Sequence, residues 1–274
     1  MAKIIAMMNQ KGGVGKTTTS VNLSACLAVA EKRTLLVDLD PQGNGSLSLG
    51  LDKEQFSHCN IYHTMVADEP IKNAIYKTEL PFLDICPADN NLSGAQIELV
   101  SVFARESKLK NAFDTIRDEY DYIIIDCPPN LGLLTVNALT AADVYIVPMQ
   151  TEFLAMEGLA QLLNTVRMIK GSLNPSLEME GVVLTMFDKR AALHNQVVQE
   201  IQNHFGDKVF KTIIPKNVRL AECPSYGKPI ILYDIKSTGS SAYLSLAKEL
   251  ILRERMAQFQ KPAESMGSEN TLGV

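Results

Sequence analysis

One short segment combines flexible glycines, two lysines and two threonines in a spacing that suits a bound phosphate. Residues 9–18 read NQKGGVGKTT. Glycine adopts backbone torsions that a Cβ forbids, so consecutive N–H groups of this segment can turn inward around an anion. Lys16 supplies a positive charge for phosphate oxygens, and the hydroxyl of Thr17 is placed to ligate Mg²⁺. The predicted nucleotide contacts here are Lys11, Gly12, Gly13, Val14, Gly15, Lys16, Thr17 and Thr18.

The segments on either side of this loop can hold it in place. Ile4–Met8 is an apolar run that predicts a buried strand. The residues after the loop predict a helix from their apolar positions, which are Val21, Leu23, Ala25, Leu27 and Ala28. A strand, a glycine-rich turn and a helix in this order form the context of a phosphate-binding loop. The helix that begins near Lys16 directs its positive end toward the same anion. The sequence therefore predicts a nucleotide site and not merely a flexible turn.

The loop departs from the usual pattern at its start. The usual loop opens with glycine, followed by four free positions before Gly-Lys-Ser/Thr. Here Gln10 occupies the opening position and Lys11 the first free one. A lysine at that place resembles the deviant Walker A signature, Lys-Gly-Gly-x-Gly-Lys-Thr.

Acidic residues follow two further apolar segments. Asp38 and Asp40 end the run from Arg33, and a period of two places both carboxylates on one face of a strand. Asp126 ends the apolar run 122–125, an arrangement that delivers a carboxylate to a metal's water shell. The carboxyl ends of parallel strands are where ligands bind in such sheets. A plain helix cap or turn at Asp40 is the alternative interpretation.

The remaining pattern alternates strands and helices and predicts an α/β fold: a doubly wound, mostly parallel sheet flanked by helices. Residues 1–256 are predicted to form a single domain that ends in the helix Ser240–Met256. Lys208–Ile214 is predicted to be a late strand. The polar segment 257–274 is predicted to be a disordered tail.

Composition excludes several other classes of protein. Hydrophobic residues make up 46% of the 274 residues, yet no apolar run approaches the ~20 residues of a membrane span. The five cysteines are scattered without paired spacing, which favours the reduced thiols of a cytosol over disulfides or a zinc site. The first residues enter a strand at once, so no signal peptide is expected.

Charge is distributed unevenly along the chain. The net charge is −5 overall, but residues 1–180 carry −8 and residues 181–256 carry +4. An acidic body with a basic last third is compatible with an anionic partner on one face, and ordinary solvated surface charge explains it equally well.

Five segments, in order along nearly the whole chain, resemble the ParA/Soj family of chromosome- and plasmid-partitioning ATPases, relatives of MinD and of the nitrogenase iron protein. The matching segments are Gln10–Thr18, Asp38–Asn44, Tyr122–Pro129, Ile213–Glu222 and Gly227–Ile230. The resemblance implies a homodimer with two ATP molecules between the subunits. Lys11 would then reach the phosphates of the partner, while Lys16 holds those of its own chain.

The resemblance also implies roles at the remaining site positions. Asp40 would orient the attacking water, more by positioning than by proton abstraction. Thr17 would bind Mg²⁺ directly, and Asp126, together with Asp38, would act through coordinated water. A late loop is implied to contact adenine through Pro215 and Asn217.

Basic residues beside this adenine loop suggest a second binding surface. We expect four of them to form a patch for DNA phosphates that dimerisation doubles: Arg190, Lys216, Arg219 and Lys236. Phosphate contacts are independent of sequence, so non-specific double-stranded DNA is the expected ligand. The loop begins at residue 10, which leaves no room for a preceding operator-reading domain. The resemblance further implies a ParB-like partner that stimulates hydrolysis, and a cytoplasmic, nucleoid-associated protein.

Three other functions fit the sequence less well. A MinD-like ATPase at a membrane should end in a basic amphipathic helix, whereas residues 253–256 read RERM and precede a polar tail. An iron-protein-type reductase needs two cluster-binding cysteines, and its glycine-rich cysteine motifs do not occur here. A scaffold that binds ATP without hydrolysis would most simply have lost Lys11 or Asp40.

Overall fold

The computed structural model describes residues 1–152 and 157–260. Its described strands form one seven-stranded sheet in the order β3-β4-β2-β5-β1-β6-β7. Five strand pairs are parallel, and β3 alone is antiparallel, to β4. The strands are β1 Lys3–Met7, β2 Thr34–Asp38, β3 Tyr76–Lys77, β4 Leu83–Cys86, β5 Tyr122–Asp126, β6 Val144–Gln150 and β7 Glu178–Thr185. The predicted fold class is confirmed.

Helices connect the strands and cover the sheet. They are α1 Lys16–Val29, α2 Asn44–Ser48, α3 Lys53–Phe56, α4 Ile61–Val66, α5 Leu92–Glu98, α6 Lys108–Asp114, α7 Leu133–Ala141, α8 Glu157–Ser172, α9 Ala192–Phe205, α10 Val218–Glu222, α11 Ile230–Tyr233 and α12 Thr238–Gln260. No helix among the described residues is both long and apolar enough to span a bilayer.

The sheet separates two hydrophobic clusters, as the period of two in a strand requires. In β1, Ile4 and Ala6 belong to one cluster, while Ile5 and Met7 belong to the other. The first cluster includes side chains of α6, α7 and α8, and the second includes those of α1 and α12. Every residue of β2 and β5 is buried, because helices cover both faces of the central strands.

The late segment predicted as a strand, Lys208–Ile214, is irregular. Isolated bridges join this part of the chain to the β7 region at Val209 and at Pro215, and the N–H groups of Phe210 and Ile214 donate to the carbonyl oxygens of Val182 and Leu184. Between them, the backbone N–H groups of Lys211 and Thr212 donate to the carboxylate of Glu249 on α12, at 2.8 and 2.9 Å. The carboxylate of Glu249 thus interrupts the pairing with β7, and the prediction of a continuous strand is wrong here.

The end of the chain differs slightly from expectation. Helix α12 continues to Gln260, four residues beyond the predicted end at Met256. The rest of the predicted tail, 261–274, lies outside the described residues, so its disorder stays a prediction. All five cysteines are buried free thiols.

Candidate nucleotide site

The glycine-rich loop joins β1 to α1 and takes the conformation that its glycines allow. Gly13 and Gly15 have φ values of +75° and +86°, in the left-handed region that L side chains rarely adopt. Gly15 is the N-cap residue of α1, so the helix begins with its free N–H groups facing the loop. The loop therefore provides backbone donors at the positive end of a 14-residue helix.

Lys16 lies inside this loop and not in solvent. The residue is only 7% exposed, and its Nζ donates to the carbonyl oxygen of Lys11 at 3.1 Å. Burial lowers the pKa of Lys16, although the nearby Asp126, Cys127 and Asp40 favour its charged form. An anion in the loop would add a favourable charge to an ammonium group that already lies at the site.

The end of strand β6 supports the other side of the loop. Asn9 donates through Nδ2 to the carbonyl oxygen of Pro148 at 2.8 Å. Gln150, two residues later, donates through Nε2 to the carbonyl oxygen of Gly13 at 3.2 Å. This contact constrains the peptide of a residue with positive φ. This contact was not predicted, although a polar residue at the end of an apolar strand was a usable signal.

Lys11 lies on the outer edge of the same loop. Its Nζ forms an ion pair with Oε2 of Glu152 at 2.8 Å, and the two side chains are 43% and 54% exposed. The two lysines of the loop therefore occupy different environments, Lys16 inside and Lys11 at the rim. Glu152 was not among the predicted site residues.

The strand pairing brings the two buried aspartates together. Asp38 of β2 lies directly opposite Asp126 of β5, and both are fully buried. Asp38 accepts hydrogen bonds from the N–H and the hydroxyl of Ser46, both at 2.8 Å, and from the N–H of Asp40 at 3.2 Å. Asp38 therefore ties the loop after β2 to the sheet. Its predicted contact with metal-bound water stays a prediction.

Asp126 accepts fewer hydrogen bonds than Asp38, and its surroundings suit a bound cation. One of its oxygens accepts from the hydroxyl of Ser20 at 2.9 Å, while Oδ2 is buried with no hydrogen-bond partner among the described residues. Burial raises the pKa of Asp126, and the hydroxyls of Thr17 and Ser20 oppose that shift. Carboxylate and hydroxyl oxygens are the hard ligands that Mg²⁺ prefers, so Thr17 and Asp126 suit the predicted metal.

Asp40 lies in the loop that Asp38 ties down. Its side chain is half-buried, and Oδ1 accepts from the N–H of Gln42 at 3.0 Å. It is close enough to Lys16 and Asp126 to affect the pKa of each. The structure thus places this carboxylate beside the phosphate loop, where a water molecule could be oriented.

A largely apolar cavity of about 280 Å³ adjoins the loop and contains both predicted adenine contacts. It is lined by Gly15, Thr18, Thr185, Met186, Ile214, Pro215, Lys216, Asn217, Val218, Leu220, Ala221 and Tyr243. Asn217 accepts from the N–H of Leu220 and so caps α10, and it donates to Thr238 at 2.8 Å. An apolar slot next to a phosphate loop suits a flat base. Sequence reasoning missed Met186 and Tyr243, which come from distant elements.

Two of the four basic residues predicted to contact DNA are paired with acidic neighbours. Arg190 binds Asp188 at 2.8 Å. Arg219 binds Glu222 at 3.0 Å and Asp234 at 3.5 Å. Within the described part of the chain, Lys216 and Lys236 form no ion pair and are exposed. The DNA role of all four stays a prediction.

Comparison with known proteins agrees with this geometry. A family model described as an AAA domain matches residues 2–179. The chromosome partitioning protein ParA of Myxococcus xanthus is 54% identical over 254 residues, covering 93% of this chain and 89% of the relative. The sporulation initiation inhibitor protein Soj of Bacillus subtilis is 56% identical over 250 residues, covering 91% and 98%. The chain belongs to the ParA/Soj family. The predicted family is therefore confirmed.

Solved structures of relatives contain the expected ligands. Cobyrinic acid a,c-diamide synthase from Mycobacterium smegmatis, with bound ADP and magnesium, matches with a TM-score of 0.83 and 34% identity, covering 94% of this chain and 97% of that one. A second structure of that protein holds an ATP analogue and magnesium. The cell division ATPase MinD of Pyrococcus furiosus shares the fold, with a TM-score of 0.77 at 23% identity over 92% and 100% of the two chains. The predicted cofactors, ATP and Mg²⁺, are confirmed.

Proposed function

We propose that this chain is a DNA-partitioning ATPase that closes into a homodimer around two ATP molecules. In that state it binds double-stranded DNA of the nucleoid without sequence preference, and a ParB-like partner stimulates hydrolysis. Cycles of binding and release then drive segregation of a chromosome or plasmid. The relatives named as chromosome partitioning proteins support this role.

The position of Lys11 carries the proposal. Lys16 is buried within the loop, whereas Lys11 extends at its rim with nearly half of its side chain exposed. A lysine directed away from its own phosphate cradle is available to a second subunit. Two lysines that approach from opposite sides neutralise the charge that develops on the phosphates during transfer.

The residues around the loop suit in-line hydrolysis. A water molecule oriented by Asp40 attacks the γ-phosphorus, and the oxygen that bridges the β- and γ-phosphates leaves with ADP. Lys16 stabilises the phosphate oxygens from within the loop. Mg²⁺ held at Thr17 and Asp126 would neutralise charge on the β- and γ-phosphates. As a half-buried carboxylate, Asp40 acts mainly by position.

Two of the four proposed DNA contacts lie on the same short segment as the proposed adenine contacts. Lys216 lines the base cavity next to Asn217, which caps the helix that carries Arg219. Nucleotide in the cavity would therefore influence the placement of cationic side chains directly. Dimerisation would double their number and so strengthen binding to a polyanion.

Size-exclusion chromatography with ATP, with and without DNA, tests the proposal. With ATP, we expect both the wild-type chain and the hydrolysis-deficient variant Asp40→Ala to elute as dimers. The variant should also remain bound to DNA. Lys11→Ala should stay monomeric. Lys170→Ala, which removes a lysine from an exposed ion pair on α8, is the matched control and should dimerise normally. A Lys11→Ala protein that dimerises and loads onto DNA like wild type would overturn the proposal.

A further inference from the structure

The contact between Lys11 and Glu152 joins the loop to the end of β6 within one chain. Their charged groups are 2.8 Å apart. The backbone of Lys11 is held on both sides, because its N–H donates to Asn9 Oδ1 at 3.0 Å and its carbonyl accepts from Lys16. Only the side chain of Lys11 is therefore free to change partners.

Glu152 follows two residues that make contacts with the rest of the protein. The preceding residue, Thr151, is 1% exposed, and its hydroxyl lies 2.9 Å from Nδ1 of His194. Two residues before Glu152, Gln150 contacts the glycine loop. The strand end before Glu152 is therefore fixed, and the carboxylate of Glu152 lies at the rim of the loop.

We propose that Glu152 is a positioning residue that holds Lys11 within its own chain until a second ATP-bound copy offers a stronger anion. This inference rests on the proposed sandwich dimer. Closure then requires an exchange of partners, in which Lys11 leaves Glu152 and binds phosphate oxygens of the other subunit. Glu152 thereby acts as an internal competitor of dimerisation.

The charges decide the direction of the exchange. An exposed carboxylate–ammonium pair contributes little stability, so Lys11 is held only weakly. A nucleotide triphosphate carries several negative charges, and the closing interface excludes water, which strengthens the new pair. The carboxylate of Glu152 is left without its partner near those phosphates, and this repulsion opposes closure. Loss of the carboxylate charge removes both obstacles.

Zero-length cross-linking detects the exchange directly. A water-soluble carbodiimide couples a carboxylate to an adjacent amine, so nucleotide-free protein should yield a Lys11–Glu152 cross-linked peptide. With ATP and the Asp40→Ala variant, this product should fall at least about fivefold, in line with the weak pairing that is replaced. A mixture of light and ¹⁵N-labelled chains separates intrachain from interchain products.

An internal control comes from the Lys170–Glu178 pair, whose charged groups are 2.7 Å apart. Glu178 lies opposite the start of β6, whereas Glu152 follows its end. The Lys170–Glu178 cross-link should not respond to ATP. A Lys11–Glu152 intrachain product that persists at full yield in the ATP dimer would overturn the exchange.

The variant Glu152→Gln tests the competition. We expect its dimer to form at an ATP concentration about two- to fivefold lower than the parent, the range for one exposed ion pair. Glu178→Gln removes an equal charge elsewhere and should leave the threshold unchanged. An unchanged or higher threshold in Glu152→Gln overturns the role of Glu152. If the Asp40→Ala chain with Glu152 intact fails to dimerise with ATP at all, the proposed function itself is overturned.

Discussion

The two opposed aspartates differ in what holds them. Asp38 receives three hydrogen bonds, from the N–H of Asp40 and from the N–H and hydroxyl of Ser46. Asp126 receives one from Ser20 and keeps Oδ2 without a hydrogen-bond partner in the described part of the chain. Burial raises the pKa of both carboxyls. Since an unsatisfied buried carboxylate is costly, the proposed role of Asp126 in holding a cation comes at the expense of stability without that cation.

The variant Asp126→Asn should therefore be more stable than wild type without nucleotide or Mg²⁺. The folded-state pKa lies above the unfolded value, so the folded state binds the proton more tightly and stability falls as pH rises through that pKa. Asparagine does not ionise, so this loss of stability does not occur, and its amide oxygen can still accept a hydrogen bond from Ser20. Calorimetry should show a gain of about 2–4 °C at pH 8 that disappears toward about pH 4. A gain that does not depend on pH would contradict this account.

Asp40 should affect the chemical step and not binding. We expect Asp40→Ala to lower ATP hydrolysis at least about 100-fold, because the attacking water loses its orienting group. Affinity for a fluorescent ATP analogue should change little. Asp40→Asn keeps an acceptor for the Gln42 N–H and should be equally impaired if the charge matters. Hydrolysis within a few-fold of wild type in both variants would remove Asp40 from the mechanism.

At the scale of elements, one hydroxyl on α2 contacts the ends of two strands. Ser46 Oγ donates to Asp38 at 2.8 Å and accepts from the N–H of Ala88 at 3.2 Å, which links the ends of β2 and β4. Gly43 approaches the same place so closely that a Cβ there would lie 2.8 Å from the Ala88 oxygen. The position of the loop that carries Asp40 thus depends in part on a contact between two strand ends.

Ser46→Ala should loosen that loop and destabilise the fold. The change removes one donor from a buried carboxylate and one acceptor from a backbone N–H, a cost of about 1.5–3 kcal/mol. Thermal melting should fall by roughly 4–8 °C in a chain of this size. Ser48→Ala, which loses only a bond to Asn44 within α2, is the control and should change melting much less. Equal effects of the two substitutions would refute the bridging role.

At the scale of the whole molecule, the uneven charge of the sequence raises the question of which basic side chains can bind an anion. The last third of the chain is basic, yet Arg219 is already engaged with Glu222 and Asp234. Binding of a DNA phosphate must therefore replace these carboxylates, whereas Lys236 needs no such exchange with a described residue. Both remain candidates for contacts that depend on salt.

Removal of either cation should weaken the salt dependence of DNA binding. With ATP and the Asp40→Ala background, Arg219→Ala and Lys236→Ala should each lower the log–log salt slope by about 0.9 per lost phosphate contact. The loss should be the same for unrelated DNA sequences. Lys110→Ala on α6 is the control, since Lys110 pairs with Asp114 outside the basic third. Unchanged slopes in both test variants would exclude the predicted patch.

The sequence by itself determined the phosphate loop, the aspartates at strand ends and the fold class. Each depends on local rules: glycine torsions at Gly13 and Gly15, and apolar runs that end at Asp38 and Asp126. The prediction that Asp40 shares a strand face with Asp38 was wrong, because β2 ends at Asp38 and Asp40 lies in the loop that follows. The strand predicted at 208–214 is wrong because Glu249, from a distant helix, accepts the backbone N–H groups of Lys211 and Thr212.

Only the tertiary structure decided which side chains complete the site. Glu152 meets Lys11 across 141 residues of chain, and Tyr243 enters the base cavity from the last helix. Such contacts arise where the sheet order brings strand ends together, and no local pattern encodes that order. The physical reason is that torsional preference and periodicity act over a few residues, whereas pairing of charges and closure of a cavity depend on distances set by the packed sheet.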